Sequence, residues 1–403
     1  MTDSRPDRWQ LPDGVDELLP ETAWRVESLR RDFVDRCRAW GFELVMPPLI
    51  EYVESLLTGS GEMLDLQTFK LVDQHNGRTL GVRADMTPQV ARIDAHALAG
   101  DGPNRLFYTG TVLRARADGV GGSRSPQQFG AELFGHGGLE SDVEICRLML
   151  ETVDLAGVAT ETVLLDLGHV GVYRTLAADA RLAAEDEAGV FEALQRGSAP
   201  DLHARLDALS GEVDDEALGR LAALVTLRGD ARVLERARET LEGASAGVGR
   251  AIDALERLVA ALGATHPEVG VHVDLAELRG YAYHSGALFA VHDASGARLA
   301  HGGRYDAVGE AFGRARPATG FSGDLVQLAE RGAAARPAAP TRGGAIRVAE
   351  PDLVDAWRTV RALRANGERV LSVPPGNAAG AERCDRELVR GDEGWTVRPI
   401  ASV

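Results

Sequence analysis

The chain has 403 residues, 44% of them hydrophobic, a formal net charge of −17 and a pI near 5.1. That length suits two or three domains with packed cores. The acidic balance argues against broad binding to nucleic-acid phosphate, and no run approaches the roughly 18 apolar residues of a membrane span.

The first segment, Met-Thr-Asp-Ser-Arg-Pro-Asp-Arg-Trp, is polar and has no secretory h-region, so a soluble cytoplasmic protein is expected. After Pro20, Val26, Leu29, Phe33, Cys37 and Trp40 recur at helical spacing until Gly41 stops the run. Phe42–Met46 then reads as a strand ending at Pro47-Pro48. Residues 69–73 and 79–83 read as a hairpin around Asn76-Gly77. A helix follows Asp85, with Thr87 as N-cap, Pro88 as first helical residue, and Val90, Ile93 and Ala97 on one side. Another is expected from Ser141, with Glu144 completing a capping box, through Val143, Cys146, Met149 and Val153 to Gly157.

Residues 161–168 read as a buried strand, and about 172 to 263 as mostly helix, including Val248, Ile252, Leu255, Val259 and Leu262. Strand signals return at 271–275, 281–291 and 298–300. Residues 331–344 form an Ala/Pro/Gly/Arg linker. The tail reads as a strand near 345–349, a helix at 352–366 and a strand at 369–373. Cys37, Cys146 and Cys384 are distant and odd in number, so neither a disulfide framework nor a metal site is indicated.

Residues 112–135 carry the most chemistry. They read as two strands joined by a Gly-rich loop. On the second strand Gln128, Gly130, Glu132 and Phe134 share one face. Arg114, on the first, could meet Gln128 and Glu132 across that face. An arginine, an amide and a carboxylate on one sheet surface suit a small zwitterion; solvated charges on a surface hairpin are the plainer alternative. Asp85 and Thr87 sit where a strand ends and a helix begins, which also suits plain capping. Arg279-Gly280-Tyr281-Ala282-Tyr283-His284 reads as a strand whose alternating Tyr281, Tyr283 and Phe289 could equally pack in a core. Gly302-Gly303-Arg304-Tyr305-Asp306 permits close backbone approach to a ligand.

These elements, in order over residues 9–330, resemble the class II aminoacyl-tRNA synthetases, and histidyl-tRNA synthetase in particular. The resemblance implies an α+β fold: an antiparallel sheet flanked by helices, with a helical insertion and a short C-terminal α/β piece. It places a synthetase-like core at 1–170 and 264–330, the insertion at 171–263, the linker at 331–344 and an α/β remnant at 345–403. The helix, strand and proline near the N-terminus resemble motif 1, which implies a homodimeric core.

The departures fall on the nucleotide side. Arg116 stands where the family's adenine-binding glutamate would be, and Pro126 where a stacking phenylalanine would be. In the motif 3 region Gln327 replaces the arginine that grips the γ-phosphate, and Asp324 replaces a glycine. A cation cannot accept the adenine amino group's hydrogen bond, a proline has no aromatic face, and a carboxylate repels a triphosphate.

The Asp-Met-Thr-Pro-Gln run (85–89) and Gly-Ala-Glu-Leu-Phe-Gly-His (130–136), together with the missing nucleotide contacts, resemble the family of regulatory subunits of ATP phosphoribosyltransferase. That resemblance implies no catalytic residue, cofactor or metal. It implies a short-form catalytic partner in a hetero-octamer, participation in the first step of histidine biosynthesis, and feedback by L-histidine. It assigns Asp85, Thr87 and Gln128 to the ligand's ammonium and Arg279 to its carboxylate. Glu132, Tyr283, His284 and Tyr305 would surround the imidazole, with Arg114 in support. The competing reading is a divergent synthetase-like ligase that adenylates an amino acid, for which Arg114 and Arg279 speak. A short tail that is not strongly basic argues against tRNA binding.

Overall fold

The computed structural model describes residues 9–58, 61–98, 100, 102–117, 122–281, 283–334, 344–349, 352–373, 384–392 and 394–400. Most of the expected linker, the tip of the Gly-rich loop (118–121) and Ala282 lie outside these residues. The chain divides into two compact units, Met1–Glu17 with Val26–Arg336 and Leu18–Arg25 with Pro337–Val403.

In chain order the first stretch holds α1 (Pro20–Ala39), β1 (Glu43–Leu44), β2 (Ile50–Tyr52), α2 (Val53–Leu56), α3 (Gly61–Gln67), β3 (Phe69–Val72) and β4 (Thr79–Val82). Next come α4 (Thr87–His96), β5 (Asn104–Thr111), β6 (Gln127–Phe134), α5 (Leu139–Leu155) and β7 (Leu164–His169). A mostly helical stretch follows: α6 (Val170–Ala180), α7 (Ala184–Gln195), α8 (Ala199–Ala208), α9 (Asp215–Ala223), β8 (Arg228–Gly229), α10 (Val233–Thr240) and α11 (Ala246–Gly263). The sheet resumes with β9 (Gly270–Asp274), β10 (Ala287–His292), β11 (Arg298–Arg304), β12 (Ala318–Asp324) and α12 (Leu325–Arg331). The tail holds β13 (Ala345–Ala349), α13 (Leu353–Ala365), β14 (Arg369–Val373), β15 (Cys384–Gly391) and β16 (Gly394–Pro399).

Among the described residues the main sheet has nine strands in the order β1-β5-β6-β12-β11-β10-β7-β9-β8. Its pairs are antiparallel except β1·β5 and β7·β9. One face is closed by helices. Phe33 of α1 meets the ring edges of Phe107 and Phe129, with centroids 5.9 and 5.1 Å away. The apolar side of α5, including Ile145, Leu148 and Met149, is buried. The other face carries the charged and hydroxyl side chains discussed below. The tail unit is a βαβ turn with a terminal β15–β16 hairpin over Ile346, Val348, Ala356, Val360, Val370 and Leu388. Among the described residues no helix is long and apolar enough to cross a membrane.

Several local expectations are corrected. The 42–46 strand shrinks to Glu43–Leu44, and the 161–168 strand starts only at Leu164, after a 3₁₀ turn over Thr160–Thr162. Thr87 is the first residue of α4 rather than its cap; its N–H donates to Asp85 Oδ1 at 2.8 Å. The buried side of α4 is Pro88, Gln89, Val90, Ala91 and Asp94, while Ala97 is exposed, because Asp94 turns inward to Arg316 at 3.0 Å. Helix α5 begins at Leu139 rather than Ser141. Glu144 is drawn away by Arg105, 2.6 Å distant, so no capping box forms. The expected 281–291 strand begins only at Ala287; the residues before it form a turn in which Gly280 has φ +71°. The 298–300 strand extends to Arg304.

Candidate functional site

The site grows from strand pairing on the open sheet face. Glu132 lies mid-β6, opposite Leu106 of β5 and Gly320 of β12. Opposed residues of antiparallel strands share a face, so Tyr108, opposite Gly130, also points this way. Its hydroxyl donates to Glu132 Oε1 at 2.9 Å, and the Tyr305 hydroxyl donates to Oε2. Thr87 Oγ1 lies 2.9 Å from the Tyr108 oxygen and supplies the proton of that contact, since Tyr108 has spent its own. Glycine makes this crossing possible. A Cβ on Gly130 would come within 2.4 Å of the Tyr108 hydroxyl, and one on Gly320 within 1.5 Å of Glu132 Oε2.

Glu132 is 1% exposed. Burial pushes its pKa up to about 8 against the pull of the two tyrosine hydrogen bonds, and the Asp85 charge adds to the rise. Burial beside this carboxylate lifts Tyr108, Tyr283 and Tyr305 well above the ordinary phenol value, so all three stay protonated donors. Tyr283 stacks on Tyr305 with centroids 5.0 Å apart. Its hydroxyl is buried and has no hydrogen-bond partner among the described residues. A buried phenol without a partner costs about 1–3 kcal/mol, which a ligand acceptor would recover.

His284 stands edge-on to Tyr283, with centroids 5.3 Å apart. Burial lowers its pKa to about 4, so the ring is neutral. Its Nδ1 lies 3.0 Å from the Gly280 carbonyl, which can only accept, so Nδ1 carries the proton and Nε2 is left as an acceptor.

Asp85 and Gln128 form the other end. Asp85 Oδ1 receives Gln128 Nε2 at 2.8 Å, while Gln128 Oε1 receives the Met86 N–H at 2.9 Å. Gln128 therefore holds Asp85 in place, and both stand beside half-buried Thr87. The structure thus gathers Asp85, Thr87, Gln128, Glu132, Tyr283, His284 and Tyr305.

The two arginines lie further out, and their charges reach His301, as that of a protonated His284 would. β5 ends at Thr111, so Arg114 lies beyond the strand, opposite Arg124 rather than Gln128; its N–H bonds the Arg124 carbonyl at 2.8 Å. Its charge is felt by Asp324, which stands opposite Gln128 on β12, and by His301. Regular pairing fails there because Pro126, whose carbonyl takes the Val112 N–H, has no N–H to return. Arg279 is exposed and held by Glu277, with Nη2 2.9 Å from Oε2.

On the expected nucleotide side, Arg116 is exposed and Pro126 buried. Asp324 is already committed: its Oδ1 caps α12 through the Val326 N–H at 3.0 Å and takes the Gln127 N–H at 3.1 Å. The replacement of a glycine by Asp324 therefore has a structural use.

A family model described as histidyl-tRNA synthetase matches residues 14–328, and one described as ATP phosphoribosyltransferase subunit HisZ C-terminal domain matches residues 343–398. Over 406 residues the chain is 54% identical to an ATP phosphoribosyltransferase regulatory subunit of Thioalkalivibrio sulfidiphilus, covering 99% of this chain and 100% of that one. The chain belongs to the family of ATP phosphoribosyltransferase regulatory subunits. A regulatory subunit of Methylococcus capsulatus is 50% identical over 402 residues, covering 98% of this chain and 97% of that one. A crystal structure described as an ATP phosphoribosyltransferase regulatory subunit/histidyl-tRNA synthetase from Bacillus halodurans superposes with a TM-score of 0.82 at 26% identity, covering 96% and 98% of the two chains. The fold is also that of histidyl-tRNA synthetase from Nostoc sp. PCC 7120, with a TM-score of 0.76 at 16% identity over 98% and 95%.

Two residues of this regulatory-subunit site have no role of their own in the sequence reading. Tyr108 needs the β5–β6 register, which the alternation of Leu106, Tyr108 and Gly110 against Glu132, Gly130 and Gln128 would have supplied. Arg304 is buried and binds Asp142 at 3.0 Å, Asp306 at 3.2 Å and the Gly138 carbonyl at 3.0 Å, which fixes the Gly302–Asp306 segment under Tyr305.

Proposed function

We propose that this regulatory subunit is itself non-catalytic. With a short-form catalytic subunit it would carry out the first step of histidine biosynthesis, and its pocket would bind L-histidine as a feedback effector. The observation that carries the reading is the Tyr283 hydroxyl, without a partner among the described residues, beside a buried Glu132 and a neutral His284, an acceptor-and-donor set suited to an imidazole. Asp85 and Thr87 would take the ammonium, with Gln128 holding Asp85. Arg279 would release Glu277 for the carboxylate, and Arg114 would contribute charge from the rim. The committed Asp324 and exposed Arg116 support the loss of ATP-dependent ligation.

The exposed apolar residues Leu44, Met46, Leu49, Ile50, Leu71 and Val72 lie on or beside the edge strand β1 and the small β2-β4-β3 sheet. They support a homodimeric core, since such a surface and an unpaired edge call for cover. Met46, 81% exposed, is the test position: Met46→Asp should shift the mass in light scattering toward the monomer.

Function is tested by copurification with a short-form catalytic subunit, followed by turnover with and without histidine. The expected result is a complex active only when both chains are present and inhibited by histidine, with no histidine-dependent ATP–pyrophosphate exchange by this chain alone. Robust exchange would restore the ligase reading.

A further inference from the structure

We propose that Arg174 and Tyr281 are positioning residues that couple occupancy of the pocket to helices α6 and α7. The proposal rests on the reading of the pocket as a histidine site and adds how that site is read out.

The turn at Gly280 presents its aromatic residues in opposite directions. The Gly280 carbonyl takes the N–H groups of Tyr283 at 2.8 Å and His284 at 2.9 Å, as well as the His284 ring N–H. Tyr283 therefore turns toward Tyr305, with the His284 ring packed on its edge and over Gly303. Tyr281 turns away, into the helical stretch. Its ring packs against Tyr173 of α6 at 5.4 Å and Phe191 of α7 at 5.2 Å, and its hydroxyl reaches Glu187 of α7 at 3.3 Å.

Arg174 of α6 closes the connection. Its guanidinium lies 4.9 Å from the Tyr281 ring centroid. Its Nη2 also donates to the Tyr281 carbonyl at 3.3 Å and to the His284 carbonyl at 3.2 Å. One side chain on α6 thus grips the backbone on both sides of Tyr283. A backbone shift of this turn that carries Tyr283 toward a ligand acceptor pulls on α6 or breaks these contacts.

The neighbouring packing leaves room for movement. A cavity of about 200 Å³ separates the last turn of α7, Leu194 to Gly197, from Asp274–Arg279, which leads into the turn. Tyr283 has an unmet hydrogen bond, so a ligand would favour one position of the turn over another. That differential contact is what a coupling free energy requires.

The test uses the complex with the catalytic subunit and the variants Arg174→Ala and Tyr281→Ala, with Tyr281→Phe as the conservative change. Arg174 is exposed, so its replacement leaves the core intact. In the wild type, histidine should slow amide exchange in Val170–Ala180 and Ala184–Gln195. In Arg174→Ala and Tyr281→Ala, histidine affinity measured by calorimetry should stay within roughly threefold of wild type. The exchange response of α6 and α7 should fade, and saturating histidine should leave about tenfold more residual activity than in the wild type. Tyr281→Phe keeps the ring and should respond like wild type. Arg174→Ala inhibited by saturating histidine as fully as the wild type, with α6 and α7 still protected, would overturn the coupling while leaving the pocket assignment intact. A wild-type protein that binds no histidine would overturn the pocket assignment and the coupling with it.

Discussion

Glu132→Ala should abolish histidine binding measurable by calorimetry at neutral pH, and Glu132→Gln should weaken it by about ten- to a hundredfold. The alanine removes the acceptor of two buried tyrosine hydroxyls, and each unpaired hydroxyl costs about 1–3 kcal/mol. The glutamine keeps the shape and one acceptor oxygen but replaces the other with an NH2 group that cannot accept, which leaves one buried donor unpaired at about 1–3 kcal/mol. The same pair of variants separates binding from stability through pH. The folded carboxyl titrates near 8 against an ordinary 4.5. Between those values the native state holds a proton that the unfolded chain has released, so stability falls as pH rises across that window. The span corresponds to roughly 5 kcal/mol, fully felt only above pH 8 and absent below 4.5. Glu132→Gln should therefore match wild type in thermal midpoint near pH 4.5, exceed it near pH 9, and lose this part of the slope. A wild-type slope retained by the glutamine variant would show that another group titrates.

The parts of this site legible in the sequence are those carried by short periodic segments. Alternation along Gln128–Phe134 places Gln128 and Glu132 on one face, and the Asp85–Pro88 run marks the start of α4. What escaped depends on pairing or on tertiary capture. Tyr108 joins Glu132 only through the β5–β6 register. Arg114 looks like a strand residue until Pro126 is seen to withhold the return hydrogen bond. Tyr281 and Tyr283 share strand parity, but the positive φ of Gly280 folds that segment into a turn and sends them to different partners. Glu144 fits a capping box until Arg105, 39 positions away, takes it. Local propensity favoured the right element type in most of these places, and a distant partner decided the boundary.

The second large effect is expected at Gly302, in the middle of the nine-stranded sheet. A Cβ there would sit 1.9 Å from the Gly320 carbonyl oxygen and 2.7 Å from the Phe321 Cα. Both obstacles are backbone of the neighbouring strand β12, so no side chain can swing aside. Gly302→Ala must part β11 from β12, and a cost of about 3–5 kcal/mol or failure to fold is expected, since overpacking of this kind joins strain to lost pairing. Gly320→Ala places its methyl group 1.5 Å from Glu132 Oε2 and 2.7 Å from the Ala131 carbonyl oxygen. There the carboxylate can move, but only by leaving Tyr305, so this variant should fold with reduced stability and lose histidine binding. Gly249→Ala is the control: it lies in α11 with nothing within 4 Å of the added Cβ, and relief of backbone entropy should stabilise it by about 0.5–1 kcal/mol. Urea denaturation followed by circular dichroism ranks the three. An unchanged midpoint for Gly302→Ala would mean that β11 and β12 do not approach as closely as their register requires.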